Sequence, residues 1–246
     1  SVGQTPKTML TFGLLLLLYV PKLLLTVILF GEDIIRFFFL LFGVITKSGS
    51  EGFLPERRRF VSQIALGVAA IPFASFLYGI TIGKYNYKVI KQTLFFPDLP
   101  DAFDGTTITH ISDVHSGSFD DAEKIQYAID LINEQNSDMV LFTGDIVNTH
   151  ATEMDPWIET FKGINNPKFG KYSVLGNHDY GEYIDWPSQQ DKIQNFENIK
   201  AIHDKIDFKL LLNEHVKIKK DNQELAIVGV ENWGRKFGER GDLNLA

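Results

Sequence analysis

Ile111-Ser112-Asp113-Val114-His115, Gly144-Asp145-Ile146-Val147 and Gly176-Asn177-His178-Asp179 each follow an apolar stretch and carry residues able to hold a metal. Asp113 to Asp145 and Asp145 to Asn177 are both steps of 32 residues, close to the ~30 residues of a strand–helix–strand unit. That rhythm predicts an α/β fold in which three strand ends meet along one sheet edge, where open α/β sheets bind their ligands. Asp113 and His115 are two apart, and in an extended segment their side chains point the same way, toward one ion. Gly144 lets backbone and ligand approach Asp145 closely, and a carboxylate there has two oxygens to share between two cations. Asn177 adds a neutral amide oxygen, with His178 flanking it. Asp-x-His alone or Gly-Asp alone says little; the three in this order, each after a strand, point to a pair of divalent cations.

Working outward, Thr106–Ser112, Asp138–Thr143 and Lys171–Leu175 read as strands. Ala122–Gln135 reads as an amphipathic helix and Pro156–Lys162 as a short one, with a polar helical region within 187–205. Phe208–Lys219 and Glu224–Val230 read as two further strands. Turn signals at Phe96-Pro97, Leu99-Pro100 and Asp104-Gly105 make 85–105 a connector. His110 reads as a strand residue facing away from the site, His150 as a loop residue, and His203 and His215 as surface or packing residues.

The first third of the chain has a different character. Phe60–Gly83 holds no charged residue over 24 positions, enough to cross a bilayer, for which ~20 apolar residues suffice. Pro72 is tolerated in such a span. Upstream, Met9–Phe30 is a second apolar run, interrupted at Pro21-Lys22, and Phe37–Ile45 is a short third one beyond Glu32, Asp33 and Arg36. Lys22 is expected to snorkel to an interface, or the helix to break at Pro21. Residues 1–84 therefore form a membrane region of two or three hydrophobic helices, and residues 106–246 a separate domain. Arg57-Arg58-Arg59-Phe60 fits either a twin-arginine export signal or a positive-inside anchor. Both place 47–59 in the cytoplasm and the second half outside, in a multi-pass protein of the inner or plasma membrane.

Charge follows the same division. Residues 1–84 carry eight of the 24 Lys and Arg and four of the 31 acids, a net of +4 against −11 for the rest. So acidic a second half argues against sequence-independent nucleic-acid binding, which needs clustered positive charge. With no cysteine, thiolate catalysis, disulfides and Cys-based zinc sites are excluded.

The three segments resemble the first three blocks of the calcineurin-like metallophosphoesterase superfamily. Ser112–Gly117, Gly176–Gly181 and Val230-Glu231-Asn232-Trp233-Gly234 are similar to its membrane-associated YkuE-like and YaeI-like branch. The resemblance implies a sheet sandwich flanked by helices over 106–246. It makes Asp113, His115, Asp145 and Asn177 metal ligands, with Asp145 bridging, and His178 the phosphate-binding or general-acid histidine, oriented by Asp179. It implies two divalent ions, with Mn, Fe or Zn suited to imidazole and carboxylate donors, and a phosphomonoester or phosphodiester substrate. Location alone suggests a lipid-linked one. The family's later histidine blocks find no counterpart, since no histidine follows Val230. The catalytic domain is therefore expected to be incomplete at its C-terminus, and the fragment alone inactive. A non-catalytic membrane scaffold, or a small transport element using Lys22 and Asp33, are the alternative readings.

Overall fold

The computed structural model describes residues 6–46, 55–234 and 237–246. The chain divides into two compact units, one of residues 9–87 and a second containing residues 88–246. The segment 47–59, expected on the cytoplasmic side, falls partly outside the described residues.

In the first unit, α1 (Pro6–Thr46) is a single helix of 41 residues and α2 (Pro55–Thr81) one of 27. Arg58 of α2 lies 3.9 Å from Asp33 of α1, and Ile80 packs against Gly13, so the two run antiparallel. The expected break at Pro21 does not occur, and the two upstream apolar runs are one helix. A lost backbone hydrogen bond is tolerated in a long apolar helix whose other groups are paired internally. The charges between the runs are paired as well: Arg36 reaches Glu32 at 2.5 Å and also Asp33, one turn apart on the same face. At 1.5 Å per residue α1 is about 60 Å long, twice the ~30 Å hydrocarbon thickness of a bilayer. In each helix only 11% of the apolar window is buried. The hydrophobic surface faces outward, as lipid-facing helices require and core helices of globular domains do not.

In the second unit, β1 (Ile108–Ile111), β2 (Met139–Phe142), β3 (Lys171–Ser173) and β4 (Lys209–Leu210) form one sheet in that order, every pairing parallel. Between them run α3 (Ala122–Glu134), the short α4 (Ile158–Lys162) and α5 (Gln189–Lys205). Asp121 and Ser188 cap α3 and α5, accepting the backbone N–H of Lys124 and Asp191 at 3.1 Å. Because strand order follows chain order and parallel crossovers are right-handed, all three helices lie on one face. Alternation along β2 sorts its side chains. The Phe142 ring meets His203 of α5 at 5.8 Å and Phe208 at 6.1 Å. Met139 and Leu141 point the other way, into a cluster with Phe103, Phe169 and Ile218.

Ile218 belongs to a hairpin of β5 (Glu214–Lys220) and β6 (Gln223–Gly229), which also lays Val216, Leu225 and Ile227 on that cluster. The expected strand 208–219 is thus two strands in two sheets. Asn213, at φ +55, turns the chain between them. Asp221 and Asn222, both at positive φ, make the two-residue loop that closes the hairpin with the twist adjacent strands need. The result is a sandwich, with helices on one face of the parallel sheet and the hairpin on the other.

Candidate metal centre

The carboxyl ends of β1, β2 and β3 are stitched together beyond the last ladder bonds. Asp113 N–H donates to Gly144 O at 3.1 Å, His115 N–H to Asp145 O at 2.9 Å, and Ser116 N–H to Ile146 O at 3.1 Å. These bonds hold Asp113, His115 and Asp145 at φ +53, +47 and +58. Three of the four expected ligands thus sit in left-handed backbone, a conformation that costs energy and recurs at functional sites, while Asn177 is at φ −68. Asp113 and His115 converge by this pair of turns rather than by the extended geometry inferred from their spacing.

Two glycines set how closely the blocks approach. A Cβ on Gly144 would lie 2.0 Å from Gly176 N, and one on Gly176 would lie 2.2 Å from Asp145 Oδ1. Only bare backbone at both positions lets the second and third blocks touch.

His115, Asp145 and His178 then each offer a ligand atom within 4.8 Å of the others. His115 Nε2 is 3.8 Å from Asp145 Oδ2 and 3.9 Å from Asp113 Oδ1. Asp113 is the exposed member of the group and Asp145 the buried one. The His178 ring meets that of His115 edge-on at 4.7 Å. Its Nδ1 lies 2.8 Å from Asn148 O. A carbonyl only accepts, so Nδ1 carries the proton and Nε2 presents its lone pair. Asn177, beside it, donates through Nδ2 to Tyr183 Oη at 2.6 Å.

Asp179 does not orient His178. It is fully buried, and its Oδ2 accepts the N–H of Asp145 and Gly176, its Oδ1 that of Ile146, at 2.8 to 2.9 Å. Burial pushes its carboxyl up to about 7, the Asp145 charge adding to the effect against the pull of the amide donors. It braces the loop that carries Asp145. The orienting partner of His178 is the Asn148 carbonyl, one residue past the quoted Gly144–Val147 block. No spacing rule singles it out, because it acts through its backbone. Glu153 is a further unforeseen support: its carboxylate receives the N–H of Asn148, Thr149 and His150.

The donor set fits a cation. The Asp145 carboxylate is buried, and among the described residues His115 is the one oppositely chargeable side chain within ion-pair distance of it. Buried charge of one sign is costly unless paired or bound to metal. His115 Nδ1 is buried and has no hydrogen-bond partner among the described residues, so the other ring nitrogen is not committed by a bond of its neighbour. Imidazole with carboxylate is the donor chemistry of Mn, Fe and Zn rather than of Ca.

Of the other histidines, His110 bonds Thr143 Oγ1 at 2.8 Å, His150 stands edge-on to Trp186, and His215 bonds the Ala246 carbonyl at 2.6 Å. His203 is completely buried under the sheet. Beside the metal loop, Tyr180 Oη donates to Glu231 Oε1 at 2.9 Å, and burial raises its hydroxyl pKa. Arg240 lies over its ring at 4.3 Å and pairs with Glu182 at 2.6 Å. The Val230–Gly234 segment is thereby tied to the third block.

Comparison with known proteins finds metallophosphoesterases. A family model described as "Calcineurin-like phosphoesterase" matches residues 106–240, and one described as "Probable Calcineurin-like phosphoesterase, transmembrane domain" matches residues 1–84. The chain is 37% identical over 133 residues to the uncharacterized metallophosphoesterase YkuE of Bacillus subtilis, covering 52% of this chain and 46% of that protein. It is 28% identical over 154 residues to a transmembrane protein with metallophosphoesterase domain of Danio rerio, covering 60% and 35%. It is 27% identical over 122 residues to the UDP-2,3-diacylglucosamine pyrophosphatase LpxG of Chlamydia muridarum, covering 48% and 37%. The matches span less than half the length of each of these three relatives.

Proposed function

The chain belongs to the calcineurin-like phosphoesterase family, and from that premise we propose that it is a membrane-attached hydrolase of phosphate esters that works with two divalent metal ions. The observation that carries the reading is the convergence of His115, Asp145 and His178 within 4.8 Å around a buried carboxylate lacking a fixed counter-charge. Asp113, His115, Asp145 and Asn177 would hold the ions, with Asp145 shared. Bound ions supply Lewis-acid polarisation of phosphoryl oxygens and an acidified water.

The chain's own groups do the rest. His178 N–H donates to Asp145 Oδ1 at 2.8 Å, fixing that carboxylate while its Oδ2 faces His115. The Nδ1–H bond of His178 to Asn148 O aims Nε2 at the centre; once protonated there, it delivers a proton to the leaving alkoxide. Asp179 keeps the Asp145 backbone in its left-handed turn.

The membrane helices and the relative named as a pyrophosphatase of an acylated nucleotide sugar favour a lipid-linked phosphoester as substrate. The basic run Arg57–Arg59 favours a catalytic domain on the extracytoplasmic side. The test uses the whole protein, membrane helices included, in detergent with added Mn. It should hydrolyse bis-p-nitrophenyl phosphate or p-nitrophenyl phosphate, and Asp145→Asn should abolish this with circular dichroism unchanged. Full activity in that variant would remove the two-metal assignment. Faster turnover of a lipid pyrophosphate than of its deacylated form would support the lipid-linked substrate, and equal turnover would count against it.

A further inference from the structure

Tyr183 touches both members of the third block at once. Its ring stacks on that of His178, centroids 4.4 Å apart and planes 27° apart, and its hydroxyl oxygen accepts Asn177 Nδ2–H at 2.6 Å. Trp186 holds the loop from beneath by donating to Gly181 O at 2.6 Å, and Gly181 itself turns at φ +62. Tyr183 is thus fixed by its own loop, with 45% of its surface left open to solvent.

An asparagine amide is chemically two-faced: the oxygen binds cations and the NH2 repels them. Rotation about the last torsion exchanges the two at little cost, since that torsion is broad and roughly two-fold. With Nδ2 engaged by the Tyr183 hydroxyl, Oδ1 is the atom left to meet a cation. The stack meanwhile restricts rotation of His178, whose other restraint is the single bond to Asn148 O. Groups that orient ligands in this way are worth about 10–100-fold in metal affinity.

We propose that Tyr183 is a positioning residue of the metal centre, anchoring the Asn177 amide through its hydroxyl and holding the His178 ring through its face. The inference rests on the metal-hydrolase reading above and adds to it the residue that sets one ligand's orientation.

A double-mutant cycle read by Mn binding tests it. Mn affinity is measured by calorimetry on the whole protein for wild type, Tyr183→Phe, Asn177→Ala and the double variant, with no substrate present. Tyr183→Phe keeps the ring and loses the hydroxyl, and is expected to weaken Mn binding by about tenfold. Asn177→Ala removes the amide that the hydroxyl anchors, so in that background the same change should have no effect. Equal weakening in both backgrounds would mean a merely structural role and would overturn the proposal, as would unchanged affinity in Tyr183→Phe. A wild type that binds no Mn, or binds it equally well as Asp145→Asn, would instead remove the metal reading itself.

Discussion

At the scale of single residues the centre depends on what is missing from two side chains. Gly176 lies so close to Asp145 that a methyl group would sit 2.2 Å from its Oδ1. Gly176→Ala must therefore push the carboxylate away or shift the loop. Since displacement of reacting groups by 1 Å can cost about 10²-fold, phosphoesterase activity should fall by at least that factor while the fold persists; near-normal kcat/KM would show that the loop yields. The residues that converge at the candidate centre were legible in the sequence, because Asp and His at strand ends are rare enough to be noticed together. Their conformation was not. The left-handed residues Asp113, His115 and Asp145 are held by hydrogen bonds between two loops distant in sequence, and nothing in Asp113-Val114-His115 announces them. Tyr183 escaped for a related reason, since an aromatic six positions after an expected ligand has no distinguishing spacing.

At the scale of elements, the strands and helices of the second unit followed from hydrophobic periodicity, and the departures have local causes. Asn213 and the Asp221-Asn222 pair divide an apolar run that otherwise reads as one strand, and ion pairing of Arg36 with Glu32 and Asp33 fuses two runs into α1. The α5 helix brings a consequence of its own. His203 is fully buried against Phe142, with neither ring nitrogen bonded among the described residues, and desolvation lowers its pKa from 6.5 to about 4. Folded His203 stays neutral between those values while the unfolded chain takes up a proton. Its contribution to stability is therefore complete above about pH 6.5 and declines as pH falls toward 4, by about 3 kcal/mol in all. Thermal unfolding of wild type and His203→Leu at pH 7.5 and pH 5 should show a smaller acid-induced drop for the variant; identical drops would place the acid sensitivity elsewhere.

At the scale of the whole molecule, the sequence already separated a basic, apolar region from an acidic α/β domain, and family models match on both sides of that division. The sequence alone did not show that the Asp145 carboxylate would be buried with His115 as its one chargeable partner among the described residues. On the proposed reading the folded state captures metal: a cation bound by the native centre and not by the unfolded chain would add stability, about 2.7 kcal/mol at a hundred times its Kd. Mn should raise the unfolding temperature of the α/β domain and a chelator should lower it, with the difference lost in Asp145→Asn. Identical transitions with and without Mn would mean that the centre does not bind it. The order of the parallel sheet bears on how such a centre comes into being. Spatial neighbours in β1-β2-β3-β4 are also consecutive in the chain, so each strand docks beside one already made as synthesis proceeds. Assembly can be vectorial, with no early strand waiting for a distant one. Of the three blocks, the third, with Tyr183 beyond it, is the last to leave the ribosome, and its arrival is the step that brings His178 to His115 and Asp145.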